Sequence, residues 1–381
     1  MNLDFTLNEE QQMLRDMVRS FANDELKPIA AKIDEEECIP MDIIHKIGDL
    51  GILGAPYPEE VGGAGFGEVG YCLAQEEIGR ACLSTATFIG AHVSIGTNAI
   101  YIGGTDEVKQ KFMPDLTSGR KIASFALTEQ GAGSDAFNLS TKAVEDGNDY
   151  IINGEKLWIT NAPFADVFSV FARTKKGISA FVVEKGTPGL TPGAPEKKMG
   201  IRGSKTSSVT FDDVRIPKGN MIGRDGYGFL IAMKTLDAGR LGLGAACLGA
   251  SKELLEMSVA YAKQRKQFGE PISNFQAVQH MISDMATTIY TMESILYRSA
   301  SDYDNKVIQS RQSAMVKLVC SEGLEKVADL AIQIHGGMGY SRELPLERFY
   351  RDSRINRIFE GTTEVQKLVI ARDIIKKNGL M

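Results

Sequence analysis

The feature that most constrains the fold is a change of sequence texture near residue 123 and again near residue 228. Between these points, short runs rich in β-branched and aromatic residues alternate with Asn-Gly, Lys-Gly and Pro-Gly pairs, a pattern typical of strands joined by tight turns. No segment with a helix-length pattern interrupts them. The sequence therefore predicts a small antiparallel β domain in the middle of the chain.

Helical patterns occupy the two flanks of this β-rich part. In the N-terminal flank, Leu14, Val18 and Phe21 fall on one helical face, and Thr6 with Glu9 has the spacing of a capping box. The C-terminal flank contains stretches long enough for an antiparallel bundle, namely 228–266, 271–303, 308–335 and 362–378. We expect three domains, which are an α-helical domain 1–122, a β domain 123–228 and an α-helical bundle domain 229–381.

Composition excludes several classes of function. Of the 381 residues, 43% are hydrophobic and 24% charged, as in an ordinary soluble globular protein. The net charge of −6 argues against nucleic-acid binding, which needs a basic face. The five cysteines and four histidines are scattered without a CxxC or HExxH pattern, so we expect reduced thiols and no metal site. We see no signal peptide and no bilayer-length apolar run, and we expect a cytoplasmic protein without integral membrane association.

Two glycine-rich stretches need separate interpretations. GFGEVG, at residues 65–70, matches the dinucleotide fingerprint, but two prolines precede it and 83–98 contain no acidic residue, so we interpret it as a loop between helices. GAGSD, at residues 131–135, lies between the apolar IASFALTE and a polar β region. Its amides, with the hydroxyls of Thr128 and Ser134, are placed to face a ligand, although a glycine turn between strands explains the same pattern.

The decapeptide RIFEGTTEVQ, residues 357–366, places a carboxylate where an apolar pair meets a helix start. Acidic residues are common at helix N-termini, so Glu360 can be an ordinary helix entry. Alternatively, the apolar neighbours Ile358 and Phe359 exclude water from Glu360, which raises its pKa and makes it a stronger base. These ten residues alone leave both interpretations open.

Seven stretches, taken in series, resemble the acyl-CoA dehydrogenase family of flavoproteins. They span essentially the whole chain in order, and they are FALTEQGAGSD (125–135), LWITNA (157–162), KMGIRGSKT (198–206), LDAGR (236–240), QRKQFG (264–269), IQIHGGMGY (332–340) and RIFEGTTEVQ (357–366). The resemblance implies an α+β multidomain fold with an N-terminal all-α domain, a middle antiparallel β-barrel-like domain and a C-terminal four-helix bundle. The implied activity is FAD-dependent α,β-dehydrogenation of a saturated acyl-CoA to the trans-2-enoyl-CoA, as in fatty acid β-oxidation.

The resemblance also implies an FAD site between the β domain and the C-terminal bundle. Thr128 is expected at the edge of the isoalloxazine ring and Trp158 on its other side. Because FAD bridges two protomers in this family, Arg265 is expected to reach a flavin held mainly by a neighbouring subunit. The implied cofactor-binding residues are Phe125, Ala126, Leu127, Thr128, Gly133, Ser134, Trp158, Ile159, Thr160, Arg265, Gln276, Gln333, Ile334, His335, Gly336, Gly337, Thr362 and Glu364.

Glu360 matches the family's catalytic base, which takes the α-proton while flavin N5 takes the β-hydride. Its backbone N–H, with a ribityl hydroxyl of FAD, is expected to bind the thioester carbonyl. Desolvation of the carboxylate is expected to outweigh the opposing effect of the helix that starts near Thr362. Some family branches carry their base at the position of Gly239, where this chain has glycine. The implied substrate-binding residues are Ser134, Asp237, Arg240 and Gly361.

The same resemblance bears on substrate and partners. Residues 81–108, which line the far end of the acyl pocket in the family, contain no Lys or Arg, and this favours a monocarboxylic acyl chain of open length. An electron-transferring flavoprotein is the implied electron acceptor, and the implied assembly is a homotetramer, a dimer of dimers. Two alternatives stay open, which are a same-fold oxidase or monooxygenase that uses oxygen and a flavin-free binding relative.

Overall fold

The computed structural model describes residues 6–377 and residue 379. Helices make up both flanks and strands the middle, which confirms the α+β order expected from the sequence. A wide π-helical turn, Ala91–Thr97, separates the fifth helix of the N-terminal flank from the sixth. The helices of this flank are α1 (Glu9–Phe21), α2 (Ala30–Glu36), α3 (Met41–Asp49), α4 (Gly67–Ala81), α5 (Leu83–Gly90), α6 (Asn98–Gly103) and α7 (Asp106–Thr117).

Helix α1 begins two residues later than the predicted capping box. The cap is Asn8, whose Oδ1 accepts from the Gln11 backbone N–H at 2.8 Å, while Gln11 Oε1 accepts from the Asn8 N–H at 3.1 Å. The Thr6–Glu9 prediction is therefore wrong, because Asn caps helices as well as Thr does and Asn-x-x-Gln has the same spacing. The predicted face is confirmed, since Leu14, Val18 and Phe21 are buried.

The GFGEVG stretch is not the loop that we expected. A single 3₁₀ turn, Glu59–Val61, precedes it instead of a strand, and α4 starts within it at Gly67. The Asp304 carboxylate accepts from the N–H groups of Glu68 and Val69 at 2.7 and 3.0 Å and so caps α4 from a distant part of the chain. No local pattern reveals a cap that lies more than two hundred residues away.

The middle of the chain forms a sheet of eight strands. The hydrogen-bonded order is β6-β7-β3-β2-β4-β5-β8, and β1 pairs with β4. Most neighbours are antiparallel, but β1 runs parallel to β4, with Phe125 opposite Ser169. The strands are β1 (Ala123–Ala126), β2 (Lys142–Asp146), β3 (Asp149–Thr160), β4 (Val167–Thr174), β5 (Gly177–Glu184), β6 (Leu190–Pro192), β7 (Thr206–Pro217) and β8 (Met221–Ile222).

One of the predicted turns is a bulge within a strand. Asn153-Gly154 lies inside β3, where the register against β7 shifts between Ile152 and Gly154. Gly154 has a φ of 148° and packs so closely on Thr141 that a Cβ would lie 2.8 Å from the Thr141 Cα. The glycine thus serves a close backbone approach, a common reason for glycine in a strand.

The C-terminal flank is a bundle whose long helices include the four that the sequence predicts. Between α10 and α13 the chain adds two short helices that the sequence reading did not predict. The elements are α8 (Gly228–Gln264), β9 (Lys266–Gln267), β10 (Glu270–Pro271), α9 (Gln276–Asp304), α10 (Ser310–His335), α11 (Gly337–Tyr340), α12 (Leu346–Ser353) and α13 (Thr363–Lys377).

One hydrophobic core runs through both helical flanks and includes residues of the sheet such as Val167, Phe171 and Val182, and a second core lies within the β domain alone. Helices α4 and α8 approach each other most closely at glycines, since a Cβ at Gly79 would lie 2.8 Å from the Cα of Ala246. Gly249 of α8 likewise packs directly on the backbone of Glu76. The two helices are therefore locked together toward the C-terminal half of α8.

Three further observations concern the described residues alone. None of their helices is both long and apolar enough to cross a lipid bilayer. No group of His, Cys, Asp and Glu side chains within 6–377 and 379 is arranged to hold a metal ion. All five cysteines are free thiols.

Candidate active site

Glu360 lies in a strained turn between the short 3₁₀ helix Arg354–Arg357 and α13. The φ angles of Glu360 and Gly361 are 54° and 94°, both left-handed, and this costs a non-glycine residue about 1–2 kcal/mol. Gln366 Nε2 donates to the carbonyls of Glu360 at 3.1 Å and Gly361 at 3.0 Å. Arg240 Nε donates to the Glu360 carbonyl at 3.4 Å, and Lys317 Nζ to the Gly361 carbonyl at 2.7 Å. These donors tie the turn to α8 and α10.

The carboxylate of Glu360 lies against α8 at Gly239. A Cβ at Gly239 would overlap Glu360 Oε2 and would lie 3.2 Å from its Cδ and 2.9 Å from Cγ2 of Ile95. Part of Glu360 reaches the surface, but Oε2 is buried and accepts no hydrogen bond from the described residues. Buried oxygens are nearly always hydrogen-bonded, so an orphaned one marks a functional group or a missing partner.

Burial raises the pKa of the Glu360 carboxyl to about 7, and the charges of Arg240 and Lys317 act in the opposite direction. Desolvation is therefore a larger effect than the two positive charges, while its weight against the N-terminus of α13 stays a prediction. The prediction that Ile358 excludes water is wrong, because Ile358 is 46% exposed, whereas Phe359 is partly buried and packs against the core. The dry surroundings come from α8 and Ile95, which are distant in sequence and so invisible in the decapeptide.

Three of the four predicted substrate residues gather at this turn. Arg240 is buried and its Nη1 donates to Asp237 Oδ1 at 2.9 Å, while Asp237 Oδ2 accepts from Ser310 Oγ at 2.5 Å. Arg240 and Gly361 therefore lie beside the base, and Asp237 lies behind the guanidinium. Ser134 is exposed in the loop after β1 and makes no hydrogen bond to this group.

The predicted flavin-binding residues of the β domain form one continuous strip. The Thr128 carbonyl accepts from the Leu157 N–H at 2.8 Å, and Ser124 Oγ donates to the Thr160 carbonyl at 2.7 Å. Phe125, Ala126, Leu127 and Ile159 are buried, Thr128 and Thr160 are half-buried, and Gly133 is exposed. The structure thus brings 125–128 alongside 157–160.

Trp158 stands out within this strip. Its φ is 60° and its side chain is 56% exposed. Left-handed backbone is rare for a bulky residue, and a large exposed aromatic ring loses the benefit of burial. Trp158 is therefore not a core residue, and its ring leaves a flat apolar face at the surface.

A buried ion pair that sequence reasoning missed holds the strip in place. Lys156 is fully buried, and its Nζ donates to Glu129 Oε1 at 2.7 Å and to the Leu127 carbonyl at 3.0 Å. Glu129 also accepts from the N–H groups of Ser140 and Thr141 at 2.5 and 2.9 Å. These bonds lower the pKa of Glu129 to about 2, while burial lowers that of Lys156 to about 8. The pair clamps the loop that begins at Thr128 onto β3.

The π turn Ala91–Thr97 joins the strip to the base. The Gly96 carbonyl accepts from Ser169 Oγ at 2.8 Å, and His92 Nδ1 accepts from the N–H of Ala123 at 2.9 Å, so the turn packs on β4 and β1. Its other side presents Ile95 to Gly239 and Glu360. A π turn is a frequent device at functional sites, and here it sets the strip and the carboxylate on its two sides.

The remaining predicted cofactor residues fall into two groups. Thr362 Oγ1 accepts from the Val365 N–H at 3.3 Å at the start of α13, and Glu364 is exposed. The others form a separate cluster where α8 ends and α10 ends. There the His335 ring stacks on Tyr261 at 4.3 Å, and the cluster members are Arg265, Gln276, Gln333, Ile334, His335, Gly336 and Gly337.

This second cluster is far from Glu360. Tyr261 lies twenty-two residues beyond Gly239 on α8, which corresponds to about 33 Å at 1.5 Å per residue. Arg265, Gln276 and Gln333 are exposed. A Cβ at Gly336 or Gly337 would meet no atom of the described chain within 4 Å. Nothing inside this chain requires glycine for space there, so the two positions face outward.

Four residues near the base were not predicted from the sequence. Lys317 and Gln366 bond the Glu360–Gly361 turn, Ile95 packs on Gly239, and Tyr71 packs on Gly242, one turn further along α8. One signal was available, since Lys317 falls on the same helical face as the buried Cys320 and Leu324 of α10. A lysine on an apolar face is almost never fully buried without a reason. The other three carry no local signal, because their role depends on which elements pack together.

The sequence matches three family models that together cover nearly the whole chain. These are the acyl-CoA dehydrogenase N-terminal domain at residues 8–120, the middle domain at 124–214 and the C-terminal domain at 226–375. Among curated proteins, the mitochondrial short-chain specific acyl-CoA dehydrogenase of Rattus norvegicus is 45% identical over 97% of this chain and 91% of that protein.

Solved structures share the same fold. A chain from a structural study of the electron transferring flavoprotein of Acidaminococcus fermentans and flavin-based electron bifurcation has a TM-score of 0.96 and 41% identity, covering 98% of this chain and all of that chain. The acyl-CoA dehydrogenase of Bacillus anthracis complexed with FAD has a TM-score of 0.93 and 37% identity, covering 98% of this chain and 68% of that chain. Together with the three matched domains, these likenesses show that the chain belongs to the acyl-CoA dehydrogenase family.

Proposed function

We propose that this protein is an FAD-dependent acyl-CoA dehydrogenase in which Glu360 removes the α-proton of a saturated acyl-CoA thioester to give the trans-2-enoyl-CoA. The observation that carries the proposal is the Glu360 carboxylate, whose Oε2 is buried without a hydrogen-bond partner. A pKa raised by burial to about 7 makes that carboxylate a stronger base than one in water. Family membership supports the reaction type.

The turn itself supports a second role for Glu360. Its carbonyl and that of Gly361 are both occupied by donors from Gln366 and the bundle. The Glu360 backbone N–H makes no hydrogen bond to another described residue. In the proposed mechanism this N–H donates to the thioester carbonyl oxygen, where negative charge develops as the α-proton leaves, which is the logic of an oxyanion hole.

The strip 125–128 with 157–160 is the proposed seat of the flavin ring, and its shape fits a large flat ligand. Trp158 offers an exposed aromatic face, and the loop after Thr128 is open, since a Cβ at Gly131 or Gly133 would meet nothing within 4 Å. Bound FAD supplies the acceptor for the hydride that leaves Cβ. The FAD complex of the Bacillus anthracis relative supports this cofactor.

The distant cluster at Arg265 and Gln333–Gly337 supports a flavin shared between protomers. A cluster about 33 Å from the base cannot contact the ring that serves the same base. Its exposed side chains and outward-facing glycines are instead suited to a cofactor held mainly by a second copy of the chain. This supports a pair of chains that share their cofactors, and the homotetramer, a dimer of dimers, is proposed from the family resemblance.

A short acyl chain is the proposed substrate. One turn after Gly239, Tyr71 and Ser94 pack directly on α8. A Cβ at Gly242 would lie 2.7 Å from the Tyr71 ring and 3.0 Å from Ser94 Oγ. Tyr71 Oη accepts from Gln75 Nε2 and from Ser94 Oγ, both at 2.7 Å, and all three residues are buried. In the proposed binding mode the acyl chain runs from Glu360 along α8. Gly239 and Gly242 are separated by about 4.5 Å along the helix, so Tyr71 ends this path after a few carbons. The short-chain name of the rat relative agrees with this.

An electron-transferring flavoprotein is the proposed electron acceptor, and the description of the Acidaminococcus fermentans structure supports it. Acceptor and substrate are tested by mixing the holoenzyme anaerobically with acyl-CoA thioesters from C4 to C16 and recording bleaching of the flavin. We expect the fastest bleaching with the shortest chains and slow peroxide formation in air. Rapid peroxide formation without an acceptor protein would instead support an oxidase.

The assignment of the base is tested with Glu360→Gln, which keeps the size of the side chain and removes its basicity. We expect bound FAD, a normal spectrum and no fast bleaching. The matched control is Glu343→Gln, an exposed glutamate of the same region, which should bleach like the unmodified enzyme. Fast bleaching by Glu360→Gln would overturn the assignment.

A further inference from the structure

Lys317 is a buried cation that forms no ion pair with a carboxylate of the described residues. It is fully buried in α10, and its single hydrogen bond to a described residue goes from Nζ to the Gly361 carbonyl at 2.7 Å. The other fully buried lysine, Lys156, contacts Glu129 at 2.7 Å. Burying an ammonium group without an ion-pair partner costs several kcal/mol. Lys317 is therefore poorly explained as a device for stability.

The position of Lys317 beside the Glu360–Gly361 turn explains a buried lysine here better than a contribution to stability does. Its one bond holds the carbonyl of the residue that follows Glu360, within a turn whose left-handed backbone needs external support. Gln366 from α13 bonds the same carbonyl but carries no charge. Lys317 thus adds to the turn both an anchor on α10 and a positive charge.

Among the described residues, few other titratable groups face Glu360. From α8 they are Arg240, already paired with Asp237 at 2.9 Å, and the Cys247 thiol, whose pKa burial raises to about 12, so that it stays neutral. From α13, the exposed Glu364 acts on Lys317. Because Asp237 partly neutralises Arg240, Lys317 is the uncommitted cation beside the base. Glu360 and Lys317 influence each other, since each charge favours the ionised form of the other.

We propose that Lys317 is a positioning residue for the base, which fixes the Glu360–Gly361 turn through the Gly361 carbonyl and keeps the Glu360 carboxylate ionised until the substrate binds. The proposal rests on the proposed role of Glu360. It assigns Lys317 no contact with the substrate and no proton transfer.

The test is Lys317→Met in the holoenzyme. The matched control is Gln366→Met, which loses a bond to the same Gly361 carbonyl and one to the Glu360 carbonyl without losing a charge. The readout is the pH dependence of kcat/KM for butyryl-CoA from pH 5.5 to 9.5, together with the melting temperature. We expect Lys317→Met to move the acidic limb upward by about one pH unit or more. At pH 6.5 the kcat/KM of Lys317→Met should then be about tenfold below that of the unmodified enzyme, and at high pH it should largely recover. The reason is that removing a nearby positive charge raises the pKa of the Glu360 carboxyl.

Gln366→Met should instead lower kcat/KM by a similar factor at every pH and leave the limb in place. The melting temperature of Lys317→Met should not fall, because an unpaired buried charge has been replaced by an apolar side chain of similar length. Should Lys317→Met fail to fold, Lys317→Gln, which keeps a donor but no charge, carries the same expectation for the limb.

An acidic limb that stays in place in both Lys317 variants would overturn the proposal and leave Lys317 a structural residue. That outcome differs from failure of the proposed function. If Glu360→Gln abolishes flavin bleaching while the acidic limb of the kcat/KM profile stays in place in the Lys317 variants, only the proposed role of Lys317 is refuted. If Glu360→Gln still bleaches rapidly, the assignment of the base fails first.

Discussion

Gly239→Ala tests the contact between α8 and the base most directly. The added Cβ would overlap Glu360 Oε2 and would lie 3.2 Å from Glu360 Cδ and 2.9 Å from Ile95 Cγ2. Unstrained carbon–carbon contacts are about 3.5–4.0 Å. Since Gly239 lies within the packed helix α8, the Glu360 side chain must retreat by roughly 1 Å, and a displacement of that size can lower a rate by about 10²-fold.

The expected result is a holoenzyme that folds and binds FAD but has a kcat for butyryl-CoA about 10²-fold below that of the unmodified protein. Folding should survive, because Ala in a helix interior is favoured over Gly by about 0.5–1 kcal/mol. The assay is single-turnover bleaching of the flavin under anaerobic conditions, which follows the chemical step. Flavin content and melting temperature are measured on the same samples.

Gly244→Ala is the matched control on the same helix. Its Cβ would lie 2.7 Å from Val316 Cγ1 and 3.4 Å from Cys320 Sγ, within the bundle and away from the base. Overpacking there costs about 1–3 kcal/mol of stability, and the rate per folded molecule should stay normal. If Gly239→Ala bleaches within twofold of the unmodified enzyme while Glu360→Gln does not bleach, the carboxylate does not work from its position against α8, and the reasoning is refuted.

Three further predictions follow from the same geometry. Because the folded-state pKa of Glu360 is about 7, above its ordinary value of 4.5, this group lowers stability as pH rises from about 4.5 to 7. Measured by denaturant unfolding, the free energy of unfolding of Glu360→Gln should therefore exceed that of the unmodified protein by about 3 kcal/mol at pH 8 and by much less at pH 5. Equal gains at the two pH values would contradict the burial of the carboxyl. Glu129→Gln should lower the free energy of unfolding by about 3–5 kcal/mol and weaken FAD binding. The double change Glu129→Gln with Lys156→Met should recover most of that stability, and a double variant as unstable as the single one would show that the unpaired lysine is not the cause of the instability. Tyr71→Ala should raise the ratio of kcat/KM for octanoyl-CoA over butyryl-CoA by about tenfold or more, whereas Tyr71→Phe, which keeps the ring, should leave the ratio nearly unchanged; an unmoved ratio in Tyr71→Ala would place the end of the acyl slot elsewhere.

The sequence was most informative where chemistry and local pattern coincide. Hydrophobic period and turn residues predicted the helix–strand–helix order, and the burial of Leu14, Val18 and Phe21 is confirmed. The gathering of Asp237, Arg240, Gly361 and Glu360 at one turn was implied by the family motifs and agrees with the observed ion pair and hydrogen bonds.

The failures share a physical cause, which is contact between distant parts of the chain. Asn8 with Gln11 has the same spacing as the predicted Thr6 with Glu9, and the helix uses Asn8 as its cap. Asn153-Gly154 has the composition of a turn, but in the structure it lies within β3, where Gly154 packs against Thr141. Ile358 seemed to shield Glu360, yet the shielding comes from Ile95 and the glycine face of α8. The periodicity of a sequence predicts its helices and strands, but it does not show which distant residues pack against each other.

The cap that Asp304 places on α4 has a consequence for biosynthesis. The first turn of α4 has its amides satisfied by the last residue of α9, and one core unites both flanks. A ribosome must therefore make about three hundred residues before the N-terminal helices find all their partners, although domains usually fold as they emerge. The β domain has a second core within itself and can begin to form earlier, whereas the core that it shares with the helices is completed only when both flanks are present.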